Sequence, residues 1–238
     1  MRRILTTLSH KWPEYLIEAI VIVASILAAY ALDNWNEDRK ELSKETKILK
    51  ELIKGLEEDR RDIDYNLKNH EKALESQDVV LAWLESNRSY HDRLAFHFAN
   101  CFRNTAFISN ESTYATLKIS GMALISNDSI REELTQLYDR TYESYLIYEN
   151  EGFNLLRQCR ENLSGVFFSY IPYDGRQKDL QGSMVPRSPT TLKSNASFGY
   201  WLKTYRAHNI ISISLMQSKV KRVNHLIEHI KTSHSLSE

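Results

Sequence analysis

Glycine and proline are scarce in this sequence of 238 residues, which contains seven of the first and four of the second. Turns between short strands are usually built from these residues, so their scarcity argues against a β-rich fold. No proline lies between Pro13 and Pro172, and none therefore interrupts a long helix over this stretch. We expect an all-α protein.

The sequence also lacks an excess of either charge, since 31 basic residues balance 31 acidic ones. Proteins that bind nucleic acid usually carry a basic surplus, so we expect no nucleic-acid partner. Cysteine is rare as well. Cys101 and Cys159 are too far apart in sequence for a redox CxxC pair or a zinc knuckle. Both fall near apolar helix faces, which leaves two alternatives: two core cysteines, or one disulfide between helices.

One stretch is almost entirely apolar. Residues 15–32 read YLIEAIVIVASILAAYAL, and Glu18 is their only charged residue. This length lies within the about 17–25 residues that a membrane-spanning helix needs. Aromatic residues, which favour the headgroup level, stand at both ends: Trp12, Tyr15, Tyr30 and Trp35. We predict a basic N-terminal segment at 1–14 and a transmembrane helix at 15–35, with the lipid bilayer as the first partner.

A cleaved signal peptide is the alternative interpretation of this stretch. Its basic region would consist of Arg2, Arg3 and Lys11. Residues 29–31, Ala-Tyr-Ala, have the form of a signal-peptidase site. The apolar run is longer than the 7–15 residues of such peptides, so we favour an uncleaved anchor. Basic residues lie on both sides of the stretch, so the positive-inside rule does not decide its orientation. A short basic N-terminus before one apolar segment is the usual signal-anchor arrangement, and we therefore favour a cytoplasmic N-terminus and a periplasmic C-terminal part.

Glu18 is of interest because an ionisable residue in a spanning helix is a functional hypothesis by default. It lies about one helical turn inside the interface, where it reaches headgroups or water, and we favour this interpretation. A helix–helix contact in an oligomer and an ion or proton path in a pore remain as alternatives. Small residues would let two such helices approach closely: Ala24, Ser25, Ala28 and Ala29.

A polar boundary motif follows the apolar run. It consists of Asp33, Asn34, Trp35, Asn36 and Glu37. Beyond it comes a highly charged segment in which leucine and isoleucine recur at steps of three, four or seven between Leu42 and Leu84. Such a stripe needs a partner helix, from the same chain or from a neighbouring subunit, as in a coiled coil. We therefore expect self-association through helices.

The remaining sequence predicts an antiparallel helical bundle. The extramembrane domain would span 36–232, with a loop at 172–194 that holds three of the four prolines, and a C-terminal tail at 233–238. Ser129 and Glu132 fit a capping box that opens a long helix ending before Pro172. A final helix would turn one face inward, formed by Trp201, Tyr205, His208, Ile211, Leu215, Leu226 and Ile230.

These residues resemble a bacterial family of single-pass membrane proteins, known only as a domain of unknown function. The family pattern has Gly-Glu, an aliphatic run with a second Gly, then Asn-Asn-Trp-Asn-Glu and Arg-Lys. Here the resemblance rests on Glu18, on residues 33–37 and on Arg39-Lys40, together with residues 112–134 as a second motif. Ile17 and Ser25 replace the usual glycines. The resemblance implies an uncleaved membrane anchor and a helical extramembrane domain in a bacterial protein, and it supplies no activity.

Little in the sequence suggests catalysis. Residues 225–229, HLIEH, match the inverted zinc-protease signature H-x-x-E-H, but a third ligand normally lies well downstream and only nine residues remain. We therefore interpret His225 and His229 as solvated side chains and expect no metal, no cofactor and no enzymatic activity. Four tyrosines share one helix: Tyr138, Tyr142, Tyr145 and Tyr148. They either pack the bundle, which we favour, or line a ligand pocket.

The preferred function is that of an interaction or structural protein that forms a homo-oligomer, with an unidentified periplasmic protein as a further partner. A tethered sensory or ligand-binding bundle is the first alternative, and it requires a concave pocket at the four tyrosines. A pore or ion-coupled subunit is the second, and it requires Glu18 side chains that converge on one axis.

Overall fold

A computed structural model describes residues 2–171 and 182–234 of the chain. The prediction of an all-α fold is confirmed, since strands are confined to one short hairpin in this part of the chain. The helices are α1 (Arg2–Leu84), α2 (Leu94–Cys101), α3 (Ser112–Ser120), α4 (Asp128–Gln136), α5 (Glu143–Leu163), α6 (Pro189–Lys193) and α7 (Ala196–Ser233). The chain divides into two compact units, Met1–Lys50 and Glu51–Glu238.

The first unit consists of the N-terminal part of α1. The backbone is helical from Arg2 onward, so the boundary at residue 14 that we predicted separates two kinds of sequence within one helix. Pro13 also lies inside this helix. The polar boundary motif at 33–37 is helical too, and it marks a change of side-chain chemistry rather than a turn of the backbone.

In the second unit, α7 runs antiparallel to both α1 and α5. Asp78 of α1 meets Arg206 at 2.7 Å, and Glu85, which directly follows α1, meets Lys203 at 3.7 Å. On α5, Tyr148 contacts His208, while Cys159 lies near Tyr205. In both pairs of helices the numbering rises on one helix and falls on the other. These ion pairs are largely exposed and contribute little to stability. The helices are held together mainly by the apolar residues that each of them buries.

An aromatic cluster forms the core where α1, α2, α5 and α7 meet. The ring of Phe98 packs edge-on against Trp83 and Phe198, with centroid distances of 5.7 and 6.1 Å. Tyr205 is buried beside them, and its hydroxyl donates to the Arg103 carbonyl at 3.1 Å. Because buried aromatic rings contribute large apolar areas, the packing of this cluster holds α7 against α1, α2 and α5.

The inward face of α7 differs from the one we predicted. Ile211 and Leu215 are 49 % and 37 % exposed, whereas Leu202, Tyr205 and Leu226 are buried. The buried positions also include polar residues at the same helical spacing: Asn209, Ser212 and Lys219. A buried face predicted from hydrophobicity alone is therefore wrong in the middle of α7, where polar residues occupy the buried positions.

The prediction of a loop at 172–194 is wrong for its described part. Strand β2 (Ser183–Pro186) pairs antiparallel with β1 (Phe167–Ile171), with Tyr170 opposite Met184. Helix α6 follows, with proline in its first turn and the Ser188 hydroxyl accepting the Thr191 N–H. Proline at the first helical position is compatible with a helix, so Pro189 begins α6, while Pro186 ends β2. Residues 172–181 lie outside the described residues, as do 235–238 of the predicted tail.

Helix α5 ends earlier than we predicted, at Leu163. The following residues Phe-Phe-Ser-Tyr-Ile have high strand propensity, which favours β1 over further helix. At its N-terminal end, α5 joins α4 through one π-helical segment, Leu137–Tyr142. The long helix predicted from Ser129 is therefore continuous in direction but has a widened turn at the first two tyrosines.

The N-cap of α4 is Asn127 and not the predicted Ser129. Its side-chain oxygen accepts the N–H groups of Ser129 and Ile130 at 2.9 and 3.3 Å. We expect Asn127→Ala to lower the free energy of unfolding by about 1 kcal/mol because two N–H groups lose their acceptor. Ser129→Ala should stay within about 0.5 kcal/mol. Urea unfolding of both variants is the measurement, and the reverse order of effects would reinstate the capping box.

Candidate functional sites

The apolar stretch of α1 is uncovered by protein. An 18-residue window within it has a mean hydropathy of 2.2, and none of that window is buried. Ile22 and Ile26 are 54 % and 62 % exposed, and the residues between and around them are exposed on every side of the helix. By length and composition, this is a helix that can cross a membrane.

The residues predicted to flank and interrupt this stretch are all exposed on α1. They are Trp12, Tyr15, Glu18, Tyr30, Asp33, Asn34, Trp35, Asn36 and Glu37. The guanidinium of Arg39 lies 5.1 Å from the centroid of the Trp35 ring, a cation–π distance. The Ser25 hydroxyl donates to the Val21 carbonyl at 2.7 Å. Trp35 of the polar boundary motif therefore contacts the cationic side chain that lies one helical turn after it on α1.

Most of the four tyrosines lie in the core of the helical bundle and not at its surface. Tyr138, Tyr142 and Tyr145 are buried, while Tyr148 is partly exposed. Tyr148 stacks on the His208 ring with a centroid distance of 4.3 Å. Two cavities among the described residues, of about 510 and 390 Å³, are lined by other residues of α4 and its neighbours. Three of the four tyrosines therefore pack the interior of the bundle and do not line either of these cavities.

Two of these tyrosines hold a buried carboxylate of α1. The hydroxyls of Tyr142 and Tyr138 donate to Asp59 Oδ2 at 3.0 and 3.4 Å, and the Asn110 N–H donates to Oδ1 at 2.5 Å. Burial raises the pKa of Asp59 to about 6 although these donors oppose the shift. Burial likewise raises the pKa of both tyrosines. This buried carboxylate could not be recognised in the sequence, because Asp59 lies in a run of charged residues.

Lys219 is the least expected residue of the core, at 2 % exposure. Its Nζ lies 3.2 Å from the Tyr145 ring centroid and 3.8 Å from that of Phe107. Among the described residues, this nitrogen has no hydrogen-bond partner. Burial lowers the pKa of Lys219 to about 7, although nearby carboxylates, Glu149 first among them, act in the opposite direction. We call Phe107, Tyr142 and Tyr145 the aromatic cage of Lys219.

A second buried carboxylate lies beside this cage. Glu149 is 7 % exposed, and its Oε1 accepts the backbone N–H of Phe107 at 2.9 Å. Burial raises the pKa of Glu149 in spite of this hydrogen bond. The core therefore contains two carboxylates and an amine whose charged forms are disfavoured by burial. Of these, Asp59 with a pKa of about 6 and Lys219 with a pKa of about 7 change charge near neutral pH.

Both cysteines are free and buried. The sequence left open whether they are two core cysteines or one disulfide, and the structure has two core cysteines. Both thiols belong to the aromatic cluster around Phe98. Burial raises the pKa of Cys101 well above its usual value and that of Cys159 to about 11. Thiols with such pKa values are weak nucleophiles at neutral pH.

The fold and the exposed helix together define a class of protein: an all-α chain with one helix long and apolar enough to span a membrane. The chain belongs to DUF6090, a family of unknown function, whose model matches residues 18–182. The prediction of a family without known activity is confirmed. No curated protein and no solved structure matches the chain.

Proposed function

We propose that the chain is a single-pass protein of the bacterial inner membrane whose helical domain lies in the periplasm. Its role would be that of a non-enzymatic interaction or structural component that self-associates, with an unidentified periplasmic protein as a further partner. One observation carries the membrane part of this proposal: the apolar stretch of α1 is exposed over its whole circumference.

Exposure of this kind is strongly unfavourable in water. Burying one Ile or Leu side chain contributes about 1.5–3 kcal/mol, and this stretch exposes many of them in succession, from Leu16 to Leu32. A continuous patch of that size marks an interaction with a membrane or another protein. A bilayer covers all sides of a helix at once, which a single partner protein does not.

Basic residues flank the apolar stretch on both sides: Arg2, Arg3 and Lys11 precede it, and five more follow within residues 39–50. The positive-inside rule alone therefore does not decide the orientation. The orientation rests instead on the signal-anchor arrangement, in which a short basic N-terminus before a single apolar segment stays on the cytoplasmic side. The free thiols are compatible with a periplasmic domain, since buried cysteines of raised pKa react slowly.

Self-association rests on the anchor and the segment after it. Ala24 and Ala28 lie four residues apart, as small residues do in close helix contacts within membranes. Leu42, on the charged part of α1, is 58 % exposed. An exposed leucine in line with a buried stripe favours a second helix as its partner.

Charged substitutions in the apolar stretch test the anchor. We expect Ile22→Arg combined with Ile26→Arg to move the protein from the carbonate-resistant membrane fraction to the soluble fraction or to aggregates. Each arginine near the bilayer centre costs about 2.5–3.5 kcal/mol. The matched control carries arginine at Leu42 and Tyr65, two exposed positions outside the stretch, and should stay in the membrane. Retention of the first variant would contradict the anchor.

The mass of the full-length protein in mild detergent tests self-association. A defined oligomer that survives Glu18→Gln supports a structural assembly, whereas an oligomer lost on this substitution makes Glu18 part of the contact. A monomer with an intact N-terminus contradicts self-association and leaves a tethered domain. A chain that begins near Leu32 contradicts the uncleaved anchor.

A further inference from the structure

A carboxylate and two histidines converge at the surface between α4 and α7. Glu133 Oε1 lies 2.8 Å from His229 Nδ1, and Glu133 Oε2 lies 3.7 Å from His225 Nε2. One ligand-type atom from each of the three residues lies within 4.8 Å of the other two. Glu133 comes from α4, and both histidines come from α7.

We propose that Glu133, His225 and His229 bind one divalent transition-metal ion, with Zn²⁺ as the best match. This inference concerns the helical domain alone and does not depend on the membrane anchor. Imidazole nitrogens together with one carboxylate are a common zinc ligand set, and three protein ligands leave a fourth position for water.

The helical geometry supports the histidine pair. His225 and His229 are four residues apart and so share one face of α7, where their ring centroids are 6.1 Å apart. In a tetrahedral zinc site, bonds of about 2.0–2.2 Å place ligand atoms roughly 3.4 Å from one another. The observed separations bracket this value, and side-chain rotations alone can bring the three atoms to it.

The surroundings of Glu133 also suit a metal ligand. The Ser129 hydroxyl donates to Glu133 Oε1 at 3.5 Å, and such partners orient ligating carboxylates. Glu133 and His225 line the cavity of about 510 Å³, which gives an ion and its water a way in. The same cavity is lined by Lys221 and Arg222. These cations oppose a metal ion, so the one carboxylate ligand should be essential for binding.

The third ligand also explains why the sequence favoured solvated histidines. The H-x-x-E-H pattern directs the search for a third ligand downstream of His229, where only nine residues remain, and assigns Glu228 the role of general base. In the structure Glu228 is exposed and outside the cluster. Glu133 lies far upstream and reaches the histidines only because α4 packs on α7. The arrangement therefore differs from that of the inverted zinc proteases.

Metal titration of the full-length protein tests the proposal. The protein would be purified in mild detergent without a histidine tag and stripped with a chelator. Isothermal titration with Zn²⁺ should give one site per chain. Co²⁺ should give the intense visible absorption of a four-coordinate ion, and Zn²⁺ should raise the melting temperature, because a ligand that binds the folded state stabilises it.

Three substitutions separate a built site from adventitious binding. Glu133→Gln, His225→Ala and His229→Ala should each weaken Zn²⁺ binding at least about tenfold, the lower limit for changes to groups that merely orient a ligand. Glu132→Gln, an exposed carboxylate of the same cavity, and His91→Ala, an exposed histidine elsewhere, should leave the affinity unchanged.

The outcomes are distinct. Absence of stoichiometric Zn²⁺ binding by the unsubstituted protein overturns the proposal. Unchanged affinity in Glu133→Gln also overturns it, because only a histidine pair would then bind the ion. His225 has a side chain that is 74 % exposed, so its substitution should leave folding intact and keep the test valid if another variant unfolds.

Discussion

Replacing Lys219 by methionine should stabilise the protein at neutral pH. The lysine amine is buried against Tyr145 and Phe107 without a hydrogen-bond partner among the described residues. Methionine has a similar length, no charge, and a sulfur that packs well against aromatic rings. Replacement of a buried ion pair by apolar residues of similar volume often stabilises proteins by about 1–4 kcal/mol, and a buried amine without a hydrogen-bond partner carries the same kind of desolvation cost. We expect an increase in that range in urea unfolding at pH 7.

The gain should depend on pH in a defined direction. The pKa of Lys219 is lowered from 10.5 to about 7 in the folded state, so between these values the unfolded chain binds more protons than the folded chain. The native protein therefore gains stability as pH rises through this window. The advantage of Lys219→Met should be complete below pH 7 and should fade as pH rises toward 10.5.

Comparison of variant and parent at each pH removes the contributions that both proteins share, and it leaves the titration of Lys219 together with its coupling to Glu149, Asp62 and Asp59. The raised pKa values of the buried tyrosines change the stability of both proteins at high pH, and the difference removes their contribution. The raised pKa of Asp59, about 6, has the opposite sign, since its effect lowers stability as pH rises from 3.8 to 6. This pH range of 3.8 to 6 lies below the range of 7 to 10.5 over which Lys219 changes the stability.

Lys221→Met is the matched control for Lys219→Met. Lys221 lies two residues further along α7 and is exposed, so its replacement should change stability by less than about 0.5 kcal/mol at any pH. A loss of stability in Lys219→Met would contradict the prediction. It would mean that the amine pairs with the carboxylates of Glu149 and Asp59 strongly enough to outweigh its desolvation.

The features that were predictable from the sequence depend on local composition. The apolar stretch and its aromatic ends are visible without knowledge of any contact, because the bilayer responds to the length and hydropathy of one helix. The all-α class follows in the same way from the scarcity of glycine and proline. The hairpin was missed because its second strand, Ser183–Pro186, lies in a segment whose prolines resemble those of a loop.

The polar interior could not be predicted in this way. Lys219, Asp59 and Glu149 are of residue types that are mostly exposed, and nothing near them in sequence distinguishes them from the solvated charges on the same helices. One signal was present: Asn209, Ser212, Met216 and Lys219 continue the spacing of Leu202 and Tyr205. Following the spacing rather than the hydrophobicity would have identified the buried face of α7.

The candidate metal cluster needed tertiary structure for a different reason. Its histidine pair is local and was recognised, since residues four apart share a helix face. Glu133 is separated from His229 by 96 residues along the chain, and its proximity follows only from the packing of α4 on α7. The two histidines of this ligand set could therefore be predicted from the sequence, whereas the carboxylate could not.

Gly152→Ala should destabilise the protein although alanine favours helices. Gly152 lies within α5 and is buried, and a Cβ atom at this position would clash with the imidazole ring of His208. The imidazole is held by stacking on Tyr148, with a centroid distance of 4.3 Å, so it cannot turn away without losing that contact. Overpacking of this kind costs typically about 1–3 kcal/mol, which exceeds the gain of roughly 1 kcal/mol from helix propensity.

A second substitution should reverse the loss. His208→Ala removes the ring that the new methyl group meets, so Gly152→Ala should be neutral or stabilising in that background, and the double-mutant cycle should give a coupling above about 1 kcal/mol. Gly199→Ala in α7 is the control, because nothing lies within 4 Å of a Cβ there, and it should stabilise by roughly 0.5–1 kcal/mol. Equal gains at both glycines would mean that α5 and α7 are further apart than the structure places them.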